Sequence, residues 1–211
     1  MEPFIRPDQY NFIENQVQNI ASGYATVKDE GVLNAVKSLA TERVLDVITN
    51  LTSEQQHLLQ QVEKVDDKEK AEGFLAQLKP YVIPFQITEQ AIHKLFPKVK
   101  KLKVPPLETI DWQSISYLSW VDPGSNKRFM VLRKDNKLKG IQGSFKPAIQ
   151  EGICTICNSH EEVGLFLAKE KGKVQGTYTK RGNYICVDSQ TCNNNMKSLD
   201  KLHEFVERIK G

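Results

Sequence analysis

The sequence has 211 residues, 39% of them hydrophobic, with 29 basic and 26 acidic side chains and a net charge of +3. That is enough apolar material for one large or two ordinary domains, and it excludes a long disordered chain. No apolar stretch approaches the roughly 18 residues a membrane span requires. Residues 1–9 carry charges and two prolines where a signal peptide would carry an apolar run, so a cytoplasmic protein with reduced thiols is expected. The charge is unevenly spread: residues 1–93 hold 8 basic and 14 acidic side chains, residues 94–150 hold 12 and 4, and residues 151–211 hold 9 and 8. An acidic half followed by a basic segment suggests two modules, the second facing an acidic partner.

The first 79 residues read as helices. After Pro7, Tyr10, Ile13, Val17, Ile20 and Tyr24 recur at three- and four-residue steps and share one helical face. A second stripe runs from Val32 and Leu33 through Val36, Leu39, Ala40 and Val44 to Ile48. Thr52 or Ser53 is placed to cap a third helix with Leu58, Leu59 and Val62 inside, and Asp66-Asp67 precede a fourth with Ala71, Phe74, Leu75 and Leu78. Four short amphipathic helices with short links predict a bundle over residues 1–79. Pro80 and Pro84 bracket a connection into a second domain over 80–211.

Thr88 opens a short helix containing Ile92 and Leu95, and Lys98 to Val104 reads as an edge strand or extended segment. Alternation then predicts strands around Ile115–Trp120, Phe129–Leu132 and Leu138–Ile141, joined by turns at Asp122-Pro123-Gly124 and Asp135-Asn136. Two more strands are expected over Val163–Ala168 and Thr177–Thr179, flanking a Lys-Gly loop. Arg181-Gly182-Asn183 is then expected to turn the chain into Tyr184-Ile185-Cys186. Ser198 caps a last helix with Leu199, Leu202, Phe205, Val206 and Ile209 on one face. The predicted class is α+β: a helical bundle followed by a mixed domain built on an antiparallel sheet.

Every cysteine lies in the last third, as Cys154, Cys157, Cys186 and Cys192 with spacing C-x2-C-x28-C-x5-C. A two-residue gap lets one turn aim two thiolates at a single tetrahedral centre, which reads as one closed Zn2+ site; four free thiols or two disulfides share the same arithmetic. A C-x-x-C hairpin, then strands, then a second pair leading into a helix is the order of a treble-clef zinc finger. Four thiolates leave no open position for water, so such a zinc is structural. There is no Walker-type glycine loop, nucleophile-elbow serine or H-E-x-x-H helix, and His57, His93, His160 and His203 are scattered, so no enzyme is expected. Binding remains, with Lys180, Arg181, Tyr184 and Phe205 as basic and aromatic candidates near the metal.

Five segments resemble one family. They are Arg6-Pro7-Asp8-Gln9-Tyr10-Asn11, Tyr81-Val82-Ile83-Pro84-Phe85, Phe96 to Lys103, Gly152 to Asn158 and Gly182 to Ser189. Together they are similar to the FusB-type fusidic-acid resistance proteins, the elongation factor G-binding proteins. The resemblance implies an N-terminal helical bundle, a C-terminal domain with a four-cysteine treble-clef zinc finger, and a non-catalytic role. Members bind elongation factor G and help it leave the ribosome when fusidic acid would trap it. Carried over singly, the family's contact positions fall on Tyr184, Arg181 and Phe205, and on Ile153, where a relative has phenylalanine. A monomer is expected. The reading from another class is a zinc-finger protein that binds ribosomal RNA through Lys98, Lys100, Lys101 and Lys103, whose affinity would fall steeply with salt.

Overall fold

A computed structural model describes residues 1–171 and 177–210. The chain forms two compact units, Met1–Pro84 and Phe85–Gly211. The first contains α1 (Pro7–Thr26), α2 (Glu30–Asp46), α3 (Ser53–Gln60) and α4 (Lys68–Leu78). Each start has a local cause. Arg6 N–H donates to Gln9 Oε1 at 3.0 Å before α1, and Asp29 Oδ1 accepts from Gly31 N at 2.8 Å before α2. Of the two hydroxyls ahead of α3, Thr52 is the cap and exchanges bonds with Gln55, while Asp67 caps α4 through Lys70 N.

Ile13, Val17 and Ile20 pack with Ala40, Val44, Leu59, Val62, Phe74 and Leu78 to make this unit's core. Tyr24, Val32 and Leu39 belong to the predicted stripes but are exposed, because α2 buries only Ala40 and Val44 in its second half. The bundle also reaches beyond residue 79. Phe4 and Ile5 both donate to Tyr81 O, Ile83 N–H donates to Ile5 O, and Val82 is fully buried, which holds residues 80–84 to the helices and puts the division after Pro84.

The second unit is a five-stranded antiparallel meander in the order β1 (Tyr117–Asp122), β2 (Lys127–Lys134), β3 (Lys137–Ile153), β4 (His160–Lys171) and β5 (Tyr178–Cys186). Both faces are covered. Phe129 and Val131 of β2 point into a cluster with Phe85, Phe96 and α5 (Glu89–Leu95), while Met130 and Leu132 point into another with Leu202, Phe205, Val206 and Ile209 of α7 (Asp200–Lys210). That two-sided burial explains why β2 is an unbroken apolar run rather than an alternating one.

Three expectations change here. Residues 98–104 form no strand; they pass through turns, with Leu102 buried and Lys103 O accepting from Trp120 Nε1 at 2.8 Å. Strand β3 does not stop near Ile141 but runs to Ile153, accommodating Pro147 at a register shift between Pro147 and Glu151. Arg181-Gly182-Asn183 is no turn. It lies inside β5, paired in continuous register with Leu167, Phe166 and their neighbours on β4, and the expected Lys-Gly loop before it lies largely outside the described residues. Gly182 is needed for proximity: a Cβ there would collide with the carbonyl oxygen of Phe166. No described helix is long and apolar enough to cross a membrane.

Candidate metal centre

Strand β3 delivers Cys154 to a tight turn in which Asn158 N–H returns to Cys154 O at 2.9 Å, closed by Asn158 itself at φ 61°. Two backbone amides aim at sulfur: Ile156 N and Cys186 N lie 3.4 and 3.3 Å from Cys154 Sγ. The end of β5 supplies Cys186, and α6 (Ser189–Asn195) supplies Cys192 from its first turns, where the helix dipole favours a thiolate. Asp188 starts α6 by accepting from Gln190 N, Thr191 N and the Thr191 hydroxyl at 3.2, 2.9 and 2.7 Å.

The four sulfurs all lie within 4.8 Å of one another, and none is in a disulfide. A zinc–sulfur bond of about 2.3 Å implies tetrahedral sulfurs about 3.8 Å apart; Cys154–Cys192 and Cys157–Cys186 are separated by 3.8 and 3.6 Å. The donor set therefore fits one zinc ion. Cys154, Cys186 and Cys192 are buried and Cys157 is half-buried. Among themselves the sulfurs compete for protons. Hydrogen bonds from Cys157, Cys186 and Cys192 hold the Cys154 thiol far below its ordinary range, while the bond to Cys154 pushes Cys186 and Cys192 far above theirs. A dication removes the conflict by deprotonating all four. His160 stands apart, half its ring or more in solvent, with Nδ1 3.4 Å from Glu151.

The other predicted site residues separate into two kinds. Ile153, immediately before the first ligand, is 57% exposed, and Tyr184, two residues before the third, is 43% exposed. The metal turn links them, since Thr155 N–H donates to Tyr184 O at 3.0 Å. Phe205 behaves differently: it is 1% exposed and tilted against Phe166 with ring centroids 5.7 Å apart. A ring in that position packs the core under the finger and offers little surface of its own. Arg181 is exposed, but in a regular strand it and Tyr184 emerge on opposite faces. Tyr178 and Lys180 share the Tyr184 face instead, and Lys169 Nζ stands 3.8 Å over the Tyr178 ring.

Two buried polar residues that sequence reasoning missed hold this site in place. Asn193 of α6 accepts from Ser116 N and Tyr117 N at 2.8 and 3.2 Å and donates to Tyr117 O at 3.0 Å, which docks the Cys192 helix on β1. Arg128 of β2, 1% exposed, donates to the carbonyl of Cys186 at 2.7 Å. Neither has a sequence signal; Asn193 sits in a run of three asparagines, and Arg128 reads as a surface charge beside a turn.

Residues 4–86 match a family model described as "Elongation factor G-binding protein, N-terminal", and residues 95–209 match one described as "FBP C-terminal treble-clef zinc-finger". No curated protein matches the chain. Among solved structures, that of the fusidic acid resistance protein FusC is similar over 99% of this chain and 98% of its own, with 34% sequence identity and a TM-score of 0.86. The four cysteines thus form the centre of a treble-clef finger with a single structural zinc. With both models matched in order and the likeness running through both units, the chain belongs to the FusB-type family of elongation factor G-binding proteins.

Proposed function

We propose that this protein binds elongation factor G through exposed side chains ordered by the zinc finger, and that binding alone, without catalysis, frees the factor from the ribosome when fusidic acid holds it there. The observation that carries the proposal is the pairing of exposure with rigidity. Ile153 and Tyr184 are large, apolar and exposed, yet each is within two residues of a metal ligand and the two strands are bonded through Thr155. A pre-ordered aromatic loses little entropy on docking, and such residues dominate interface energies. Arg181 and Lys180 would supply charge on either face of β5, complementary to an acidic surface on the factor.

Release then follows from linkage: a partner shifts the factor's equilibrium only by binding its ribosome-free form more tightly than its ribosome-bound form. The test is sedimentation of ribosomes carrying the factor and fusidic acid. Added protein should move the factor from the pellet to the supernatant in proportion to complex formed, with no nucleotide or covalent change in either partner. A factor that stays pelleted while still binding the protein in solution would reject release but leave binding intact.

An RNA-binding role draws on one observation, the exposure of Lys98, Lys100, Lys101 and Lys103 on turns pinned by Leu102 and by the Trp120 bond to Lys103. It predicts a log–log salt slope of about 0.7 to 0.9 per neutralised phosphate for ribosomal RNA. A flat salt dependence removes it.

A further inference from the structure

Arg128 is the unusual residue of the second unit. It is fully buried in the middle of a sheet, and among the described residues no carboxylate forms a direct ion pair with it, although the Asp188 carboxylate is close enough for the two charges to attract. Its Nε donates to Ser119 Oγ at 2.8 Å, and one guanidinium nitrogen, Nη1, donates to the carbonyls of Cys186 and Val187 at 2.7 and 3.1 Å. The guanidinium lies 4.6 Å from the centroid of the Phe145 ring. The carboxylate of Asp188 is taken up by the start of α6, through Gln190 and Thr191. A permanent cation held out of water, hydrogen-bonded only to neutral acceptors and offset only in part by the Asp188 carboxylate, is costly, by several kcal/mol in ordinary cases.

The metal centre has the opposite problem. Four thiolates around a dication make a net dianion, three of whose ligands are buried. Backbone amides to Cys154 Sγ soften that charge without cancelling it. Arg128 bonds directly to the carbonyl of a ligand residue, so the buried cation and the buried dianion sit one residue's backbone apart.

We infer that Arg128 is the buried counter-charge of the zinc–thiolate centre, a positioning residue that raises zinc affinity through its charge and through its grip on the Cys186 carbonyl. The two groups offset each other's desolvation, which explains why a cation is retained inside the sheet where an apolar side chain would otherwise pack more cheaply.

The test is zinc affinity of the full-length protein by competition with a chromophoric chelator, alongside melting curves. Arg128→Met keeps bulk and loses charge, Arg128→Lys keeps charge and loses the fork, and Ser119→Ala removes one hydrogen bond and no charge. The expected result is a zinc affinity about 10- to 100-fold weaker for Arg128→Met, the range typical of outer-shell partners. Arg128→Lys should recover most of that loss, and Ser119→Ala should bind zinc like the parent even if it melts earlier. A purely structural role would lower all three melting curves and leave zinc affinity the same. Parental zinc affinity in Arg128→Met, or a loss in Arg128→Lys as large as in Arg128→Met, overturns the inference. Should Arg128→Met not fold, Arg128→Lys decides alone: near-parental affinity supports a charge role and a full loss rejects it.

Discussion

Two aromatic residues near the zinc illustrate opposite kinds of importance. Phe205 is buried against Phe166, and truncating a buried ring of this kind costs about 3 to 5 kcal/mol of stability. Phe205→Ala should therefore lower the melting temperature sharply, and any weaker binding would follow from that; an unchanged melting curve would contradict its place in the core. Tyr184 is nearly half exposed, and Tyr184→Ala should leave the melting curve within a degree or two while weakening the partner complex by about 2 kcal/mol, a hot-spot loss. Gly182 carries a third residue-scale expectation. Because a Cβ there meets the Phe166 carbonyl, Gly182→Ala should push β5 away from β4 and destabilise the finger, visible as faster amide exchange at Tyr184 and Ile185; parental exchange rates would show that the strands give way without cost.

At the scale of elements, α6 matters more than its length suggests. It is seven residues long, yet it carries Cys192, is started by Asp188 and is docked on β1 by Asn193. Asp188→Ala removes the acceptor for two backbone amides and should cost about 1 kcal/mol, the usual value of a helix cap, and speed zinc loss to a chelator. Chelation at the parental rate would mean the metal alone orders the helix. The sequence told much about such elements and little about their joins. Cysteine spacing points to the metal, and helical periodicity with Thr52-Ser53, Asp66-Asp67 and Thr88 marks where α3, α4 and α5 begin, because caps and ligands act within a few residues. Within β5, Arg181-Gly182-Asn183 reads as a turn because glycine serves both turns and close strand contacts, and only the pairing with β4 distinguishes them. The exposure of Leu39 and the burial of Arg128 depend on what packs from elsewhere in the chain, which no local pattern reports, whereas the burial of Phe205 follows from its place on the apolar stripe of the last helix.

At the scale of the whole molecule, the two units have separate cores, and the zinc belongs to one of them. Structural zinc contributes on the order of 10 kcal/mol to the folding of small modules. Removing it should expose the amides of β3, β4, β5 and α6 to hydrogen exchange while α1 to α4 stay protected; simultaneous loss of both sets would mean that the bundle cannot stand without the finger. The same logic assigns the metal its part in function. It joins the end of β3, the end of β5 and α6 around one ion, so Ile153 and Tyr184 have defined positions although neither binds zinc. The direct test is to titrate purified elongation factor G into the zinc-loaded protein and into its Tyr184→Ala and Ile153→Ala variants by calorimetry, with melting curves for each. A 1:1 complex, weakened at least tenfold in Tyr184→Ala with its melting unchanged, is the predicted result. No complex with the parent protein, or equal affinity in all three, would contradict the account.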